Sequence, residues 1–420
     1  MPTQHEFVVI GGGEAGGTAV QTLREEGFDG PIVLVAAEDH LPYERPALSK
    51  SYLKGDPYTS EGSLRDEQWY DDQRIDLRLG RRAVSVNRPE HEVSLDDGTT
   101  LRYDKLLIAT GAHPRRLDVP GAGLGGVFSL RTLEDSQALG TALNATPEVV
   151  VVGAGWIGLE VAAVAREKGC PVTVVEPNET ALQTSMGTHM GGFFADLHRS
   201  HGVRFQFGRG VIGLLGTNTV KAVVTSDDHE LPADLVVVGV GVRPEVGWVE
   251  AELLAEDGGV RVDPQMRTVD PDVFAAGDVA SVANPLYGRR IRVEHWANAL
   301  MDGQIAARSM LERPSQFDPV PFFFTDQYDI GMEYAGSVNA ATAGEPIIRG
   351  DLTAHSFQAF WLTDGVLLAG MHVNCWDEGI KSVQDLIRRR VRIDPTRLAD
   401  SDVPLVDLSP APDTLNIGSL

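Results

Sequence analysis

Gly11-Gly12-Gly13-Glu14-Ala15-Gly16 and Gly153-Ala154-Gly155-Trp156-Ile157-Gly158 decide the fold of this chain. Each follows a short apolar run, Phe7-Val8-Val9-Ile10 before the first and Val149-Val150-Val151-Val152 before the second. In a G-x-G-x-x-G turn the first glycine permits the tight strand-to-helix bend. The second lets backbone approach a pyrophosphate, and the third lets helix and strand pack closely. The helix N-terminus then offers free N–H groups and a favourable dipole to a phosphate. One such turn is weak evidence. Two, each in the right context, predict two dinucleotide sites in one polypeptide.

An acidic residue roughly 20 positions past the turn accepts hydrogen bonds from ribose hydroxyls. Glu38 stands 38 − 16 = 22 residues after Gly16, and Glu176 stands 176 − 158 = 18 after Gly158. A 2′-phosphate would need a cation there. Pro177 and Asn178 follow Glu176 with no basic residue close behind, so NADH is favoured over NADPH. An exposed, solvated Glu176 is the bland alternative.

Working outward, a helix over 15–26 and a strand over 32–35 complete a βαβ opening, and 159–168 with 172–175 repeat it. Leu106-Leu107-Ile108-Ala109 runs into Thr110-Gly111. Residues 235–238 run into Gly239-Val240-Gly241, and Phe274-Ala275-Ala276 runs into Gly277-Asp278. This order predicts an α/β chain with two Rossmann-like dinucleotide-binding domains, the second inserted in the first. The expected boundaries are 1–114 with 244–318 for the first and 115–243 for the second. A C-terminal α+β domain over 319–420 follows, with strands near 354–362 and 365–371. Its helix over 380–389 places Ile380, Val383, Leu386 and Ile387 on one face. The tail past Val403 is rich in Pro, Asp and Ser and is expected to be poorly ordered.

Composition narrows the function. A length of 420 residues predicts two to three domains. No apolar run approaches ~20 residues, so no membrane span is expected. The N-terminus shows no basic and apolar leader, so no export is expected. The net charge of −24 argues against nonspecific nucleic-acid binding. Cys170 and Cys375 are the only cysteines. They exclude a disulfide framework and suit a reducing cytoplasm. No C-x-x-C is present, so electrons collected on a flavin must leave without a cysteine relay. No metal site is expected.

Two further features stay ambiguous as residues alone. Lys50 follows Pro46-Ala47-Leu48-Ser49, and Glu160 sits just inside the second helix. They would form a buried pair tuning a flavin, or stand as two surface charges. Asp278 would hold ribityl hydroxyls or cap a helix.

The motifs jointly resemble the flavin-dependent ferredoxin and rubredoxin reductases of bacterial oxygenase systems, the group that includes putidaredoxin reductase. The resemblance runs from Phe7 to about Arg392. It is carried by Leu41-Pro42-Tyr43-Glu44-Arg45-Pro46 with Leu48-Ser49-Lys50, by Ala109-Thr110-Gly111 and by Leu130-Arg131-Thr132. Gly155-Trp156-Ile157-Gly158-Leu159-Glu160, Ala276-Gly277-Asp278, Glu294-His295-Trp296 and Phe324-Thr325-Asp326-Gln327-Tyr328 complete it. The resemblance implies that FAD contacts Gly11, Gly13, Glu14, Ala15, Gly16, Lys50, Ala83, Arg131 and Asp278. Glu38, Arg45, Thr110, Gly111, Gly277 and Glu294 join them through these motifs, with backbone near His295 and Trp296 at the flavin ring. It implies NADH on Gly155, Trp156, Ile157, Gly158 and Glu176, with Gly241 near the nicotinamide. Lys50 and Glu160 would pair beside the flavin. Hydride would pass from nicotinamide to flavin, and single electrons to a ferredoxin-like iron–sulfur protein.

Three positions depart from the family pattern. Ala36-Ala37 stands where Gly-Asp or Gly-Glu is usual, so Glu38 must serve the ribose. Thr184 replaces an arginine common after the NADH ribose acid, and Phe324 stands where some members carry Trp. Arg289, Arg290 and Arg292 precede Glu294 and form the expected docking patch for an acidic partner, against the alternative of a solvated hairpin tip. Two other functions share these features. One is an NADH oxidase or small-acceptor reductase. The other is a redox-responsive binding protein resembling apoptosis-inducing factor.

Overall fold

Each glycine turn lies at the centre of its own five-stranded parallel sheet in the computed structural model. The structure describes residues 6–58, 62–313, 315–318, 320–339 and 344–408. The first sheet runs Val273–Ala275, Lys105–Ile108, Phe7–Ile10, Ile32–Val35, Ile75–Arg78. The second runs Val127–Phe128, Leu235–Val238, Val149–Val152, Val172–Glu176, Arg204–Phe207. All neighbours pair in parallel. The central strands Phe7–Ile10, Ile32–Val35, Val149–Val152 and Leu235–Val238 are buried at every position. Continuous Val, Ile and Leu runs are what a sheet covered on both faces requires.

The first sheet gains Val273–Ala275 only after the chain has left and returned. Ala112–Pro114 leads out and Val242–Pro244 leads back, and the two pair antiparallel with Arg243 opposite His113. The second unit is thus threaded between two strands of the first. Each unit also carries a three-stranded antiparallel sheet that the periodicity reading passed over. The first holds Ala83–Asn87, Glu92–Leu95 and Thr100–Arg102, and the second holds Val211–Gly216, Val220–Thr225 and Glu230–Pro232.

The first helix spans Glu14–Glu25 and the second Trp156–Glu167. The second begins three residues earlier than its apolar period suggests. Ile157 is exposed on the opening turn, so the buried stripe starts only at Gly158 and Leu159. Apolar periodicity records burial, not helix geometry.

Past residue 320 the strands Phe322–Gln327, Ile330–Gly336, Val366–Val373, Ser356–Thr363 and Ile347–Asp351 form one antiparallel sheet. Helix Gly379–Arg389 buries Ile380, Val383, Leu386 and Ile387 together with Ala335, Phe360 and Leu367 of that sheet. Met332, Tyr334, Trp361 and Met371 instead join the core of the second parallel sheet. Residues just past Val403 are packed, against the expectation of a loose tail there. Leu405 and Leu408 are buried, and Arg349 Nη1 donates to the carbonyls of Asp400 and Val403 at 2.9 and 2.8 Å. Residues 409–420 lie outside the described residues. Among the described residues, no helix is long and apolar enough to cross a membrane.

Candidate functional site

The glycines of each turn divide into two kinds. Gly11 has φ +125°, and a Cβ there would stand 2.1 Å from the Ala109 carbonyl oxygen; one on Gly16 would stand 1.9 Å from that of Gly11. Those two are demanded by the protein's own packing. Gly13 is not: a Cβ there would meet nothing nearer than Arg45 Nε at 3.9 Å. The second turn repeats this. Gly153, at φ +99°, and Gly158 would collide with backbone oxygens at 2.4 and 2.2 Å, while Gly155 faces nothing within 4 Å. Gly13 and Gly155 are also the helix N-caps, and neither helix has a side-chain cap. Each turn therefore presents uncapped N–H groups beside an open backbone surface, which fits a pyrophosphate.

Around the first turn, distant segments converge. Arg45 Nη2 donates to Glu38 Oε1 at 2.6 Å, its Nη1 donates to the Arg131 carbonyl at 2.6 Å, and Tyr43 OH donates to Glu38 Oε2 at 2.7 Å. Glu38, the expected ribose acid, is thus engaged in holding Arg45 beside Gly13. Arg131 Nη2 donates to Asp278 Oδ2 at 3.1 Å, and a Cβ on Gly111 would stand 2.9 Å from that same nitrogen. Gly277 would touch Ala15 Cβ at 3.0 Å, so Gly277-Asp278 crosses the start of the first helix. Asp278 lies inside the short 3-10 turn Gly277–Val279, whose cap is Ala276, so it is not a helix cap. Thr110 Oγ1 donates to the Glu245 carbonyl at 2.6 Å. Ala83 opens its antiparallel strand two residues past Arg81, whose N–H donates to the carbonyl of Ala36 beside Gly12 at 2.9 Å.

The far wall comes from the segment before helix Trp296–Met310. Trp296 Nε1 donates to Glu14 Oε2 at 2.8 Å. Burial still pushes Glu14 up to about 7. His295 stacks on Phe323 with ring centres 4.4 Å apart, and burial pushes it down to about 4, so it is neutral at pH 7. Glu294 pairs with Arg292, and burial raises it above the usual carboxylate range.

Between the two turns lies the pair that the residues alone left open. Lys50 Nζ donates to Glu160 Oε1 at 2.8 Å. Glu160 is 4 % exposed and also accepts from Ser49 Oγ and, at 2.6 Å, from Thr325 Oγ1. These are not two surface charges. Lys50 Nζ lies 5.7 Å from the centre of the Phe324 ring, and that ring is edge-on to Trp296. Trp156, opening the second helix, packs edge-on to Phe194 and tilted against Phe323. Lys50 and Glu160 also line a cleft of about 170 Å³, together with Lys54, Glu167, Asp326 and Tyr328. Ser49 and Thr325 lie inside the family motifs, but nothing in the sequence gives them a partner.

At the second turn, Glu176 is buried at the end of its strand. Its Oε2 accepts from the Ala154 N–H at 2.8 Å, and its Oε1 accepts from Asn178 N and Nδ2 at 3.0 and 2.6 Å. Among the described residues no cation pairs with it. Gly241, at φ +89°, borders the crossing strands, where Arg115 N donates to its carbonyl at 2.9 Å. Thr184 is exposed on the first turn of helix Gln183–Ser200.

The expected arginine patch is mostly structural. Arg290 Nη1 donates to the carbonyls of Val262 and Ser281 at 2.9 and 2.7 Å. Arg292 is held by Glu294 and the Asp278 carbonyl. Arg289 is the member that reaches outward, to Ser337 Oγ at 2.8 Å. Among the described residues, no cluster of three or more His, Cys, Asp or Glu could hold a metal ion.

Residues 5–303 match a family model described as pyridine nucleotide-disulphide oxidoreductase, and residues 322–409 match one described as reductase C-terminal. The chain is 39% identical over 401 residues to the anthranilate 1,2-dioxygenase system ferredoxin--NAD(+) reductase component of Burkholderia cepacia, covering 95% of this chain and 98% of that one. It is 34% identical to putidaredoxin reductase of Pseudomonas putida, covering 97% of both. The solved covalent putidaredoxin reductase–putidaredoxin complex superposes with a TM-score of 0.91 at 34% identity, covering 96% of this chain and 97% of that one. With both glycine turns, the C-terminal sheet and nearly full-length identity in agreement, the chain belongs to the pyridine nucleotide-disulphide oxidoreductase family, within its ferredoxin–NAD reductase group.

Proposed function

We propose that this chain is an FAD-dependent NADH:ferredoxin reductase that serves an oxygenase system in the cytoplasm. The observation that carries the reading is the buried Lys50–Glu160 pair, set between two glycine turns that each leave the second glycine open. The relatives' names support it, as does the absence of any cysteine pair from the sequence. Bound flavin supplies the exchange between a two-electron donor and a one-electron acceptor.

The chain's own residues do the rest. The N–H groups after Gly13 hold the pyrophosphate of FAD, with Arg45 fixed alongside by Glu38. Asp278, oriented by Arg131, takes the ribityl chain. The N–H groups after Gly155 receive the pyrophosphate of NADH. Glu176 has one lone pair left, on Oε2, for a ribose hydroxyl, and it repels a 2′-phosphate. Glu160 keeps the Lys50 ammonium pointing between the two sites. Cys170 is buried, with its thiol toward the Leu143 carbonyl, so it takes no part.

Anaerobic stopped-flow mixing tests the reading. NADH should bleach the flavin rapidly, NADPH should do so poorly, and an oxidised ferredoxin should restore the colour quickly. Rapid reoxidation by oxygen alone would point to an oxidase. A stable long-wavelength complex with little turnover would point to a redox-responsive binding protein.

A further inference from the structure

Glu160 ends a line of buried hydrogen bonds that runs away from Lys50. Thr325 Oγ1 donates to Glu160 Oε1 at 2.6 Å, and Gln327 Nε2 donates to Thr325 Oγ1 at 3.2 Å. Gln327 Oε1 lies 2.7 Å from His198 Nε2, and His198 Nδ1 lies 3.1 Å from Tyr328 OH. Glu160, Thr325, Gln327 and His198 are each at most 4 % exposed. Three elements supply them: helix Trp156–Glu167, strand Phe322–Gln327 and helix Gln183–Ser200. Thr325 and Gln327 sit two apart on one face of the strand. At the outer end His201 stacks on Tyr328 with ring centres 3.7 Å apart.

The line has one allowed direction. A carboxylate only accepts, so Thr325 must point its single hydrogen at Glu160. Gln327 can then offer Thr325 only its NH₂. That leaves Gln327 Oε1 for His198, which must carry its proton on Nε2 and accept from Tyr328 at Nδ1. The opposite arrangement has a flipped amide and an Nδ1–H imidazole. It would turn the Thr325 hydrogen toward Gln327 and leave Glu160 one donor short in the interior. A histidine tautomer at one end is thereby tied to the hydrogen bonding of Glu160 at the other.

We propose that Thr325, Gln327 and His198 are positioning residues, a one-way line of hydrogen bonds that fixes Glu160 and, through it, the Lys50 ammonium. This role rests on the reading of Lys50–Glu160 as the pair facing the flavin.

The test uses the full, flavin-loaded chain. Nitrogen NMR of wild type should show His198 as the Nε2–H tautomer, and an Nδ1–H tautomer overturns the proposal. Thr325→Val and Gln327→Met should each lower the limiting rate of flavin reduction about tenfold, with Kd for NADH held within about twofold. Both should displace the flavin reduction potential in the same direction, and Thr325→Ser should restore rate and potential. In a Glu160→Gln background, Gln327→Met should add nothing, because the line acts only through Glu160. A lowered Tm with unchanged rate and potential, or a full additional effect in Glu160→Gln, would reduce the line to packing and overturn it. Wild type whose flavin NADH does not reduce would overturn the functional reading first. The tautomer result does not depend on that reading and separates the two failures.

Discussion

A single methyl group separates the two kinds of glycine in each turn. Gly16→Ala places a Cβ on the Gly11 carbonyl and should destabilise the fold by roughly 1–3 kcal/mol, as overpacking does. Gly13→Ala meets only Arg45 Nε, at an ordinary 3.9 Å, so Tm of the apoprotein should hold while FAD retention falls. Gly155→Ala should keep its FAD and raise KM for NADH about tenfold, roughly 1.4 kcal/mol. A Gly155→Ala protein with normal KM would remove the second turn from nucleotide binding. Asp302 gives a pH test at the same scale. It is 4 % exposed, and burial pushes it up to about 7, with the Gly277 N–H opposing the shift. Its folded pKa is raised, so the fold holds a proton that the unfolded chain gives up. The stability from that proton is full below about pH 4 and is lost as pH rises through 7. Asp302→Asn should exceed wild type above pH 7 by on the order of 4 kcal/mol and converge with it below pH 4. Thermal melts across that range check the sign.

Elements obey their local sequence where they are buried on both sides, and less where one end is exposed. The four central strands match their apolar runs residue for residue. The second helix does not, because its first turn, Trp156-Ile157-Gly158, lies inside the glycine motif, ahead of the stripe of buried side chains that begins at Leu159. The antiparallel sheets went unread although Asp97-Gly98, with Gly98 at φ +86°, marks a hairpin turn. Glu92–Leu95 alternates between part-buried and buried residues over only four positions, and Ala83–Asn87 does not alternate, so the period is too short to stand out. Helix Gly379–Arg389 is the opposite case, with four apolar residues at helical spacing on one face, all buried. Leu386→Ala should cost about 2–5 kcal/mol, measured by denaturant unfolding.

Across the whole molecule, the C-terminal sheet does not stand alone. Its Met332, Tyr334, Trp361 and Met371 share a core with the second parallel sheet. A chain cut after residue 318 should lose solubility and flavin together, because it bares that core and removes Thr325 from Glu160. Charge also acts at this scale. A net charge of −24 repels an acidic partner, and salt screens that field beyond ~10 Å, so docking needs a local positive group. Among the described residues Arg289 has a single outer bond, to Ser337 Oγ, whereas Arg290 is held by the carbonyls of Val262 and Ser281 and Arg292 by Glu294. Arg289→Glu should slow ferredoxin reduction several-fold and leave NADH-to-ferricyanide turnover intact. Equal loss of both would reject the docking role.

The sequence by itself determined the two strand–glycine–helix units, the nesting of one inside the other, and Glu176 at the end of its strand. The units and Glu176 are local patterns, because backbone geometry within about 20 residues of a turn is set by sterics and burial along the chain, and the nesting follows from the order of such patterns. Only the tertiary structure decided which side chains meet. Lys50 and Glu160 are 110 residues apart, Arg131 and Asp278 147, and Glu160 and Thr325 165. Nothing local tells a buried pair from two surface charges, since the desolvation that distinguishes them exists only once the other elements close over the site. The same holds for Glu38, which faces Arg45 and Tyr43 because of how the Pro42–Arg45 segment folds back. It holds as well for the line from His198 to Glu160, whose direction follows from partners on three separate elements.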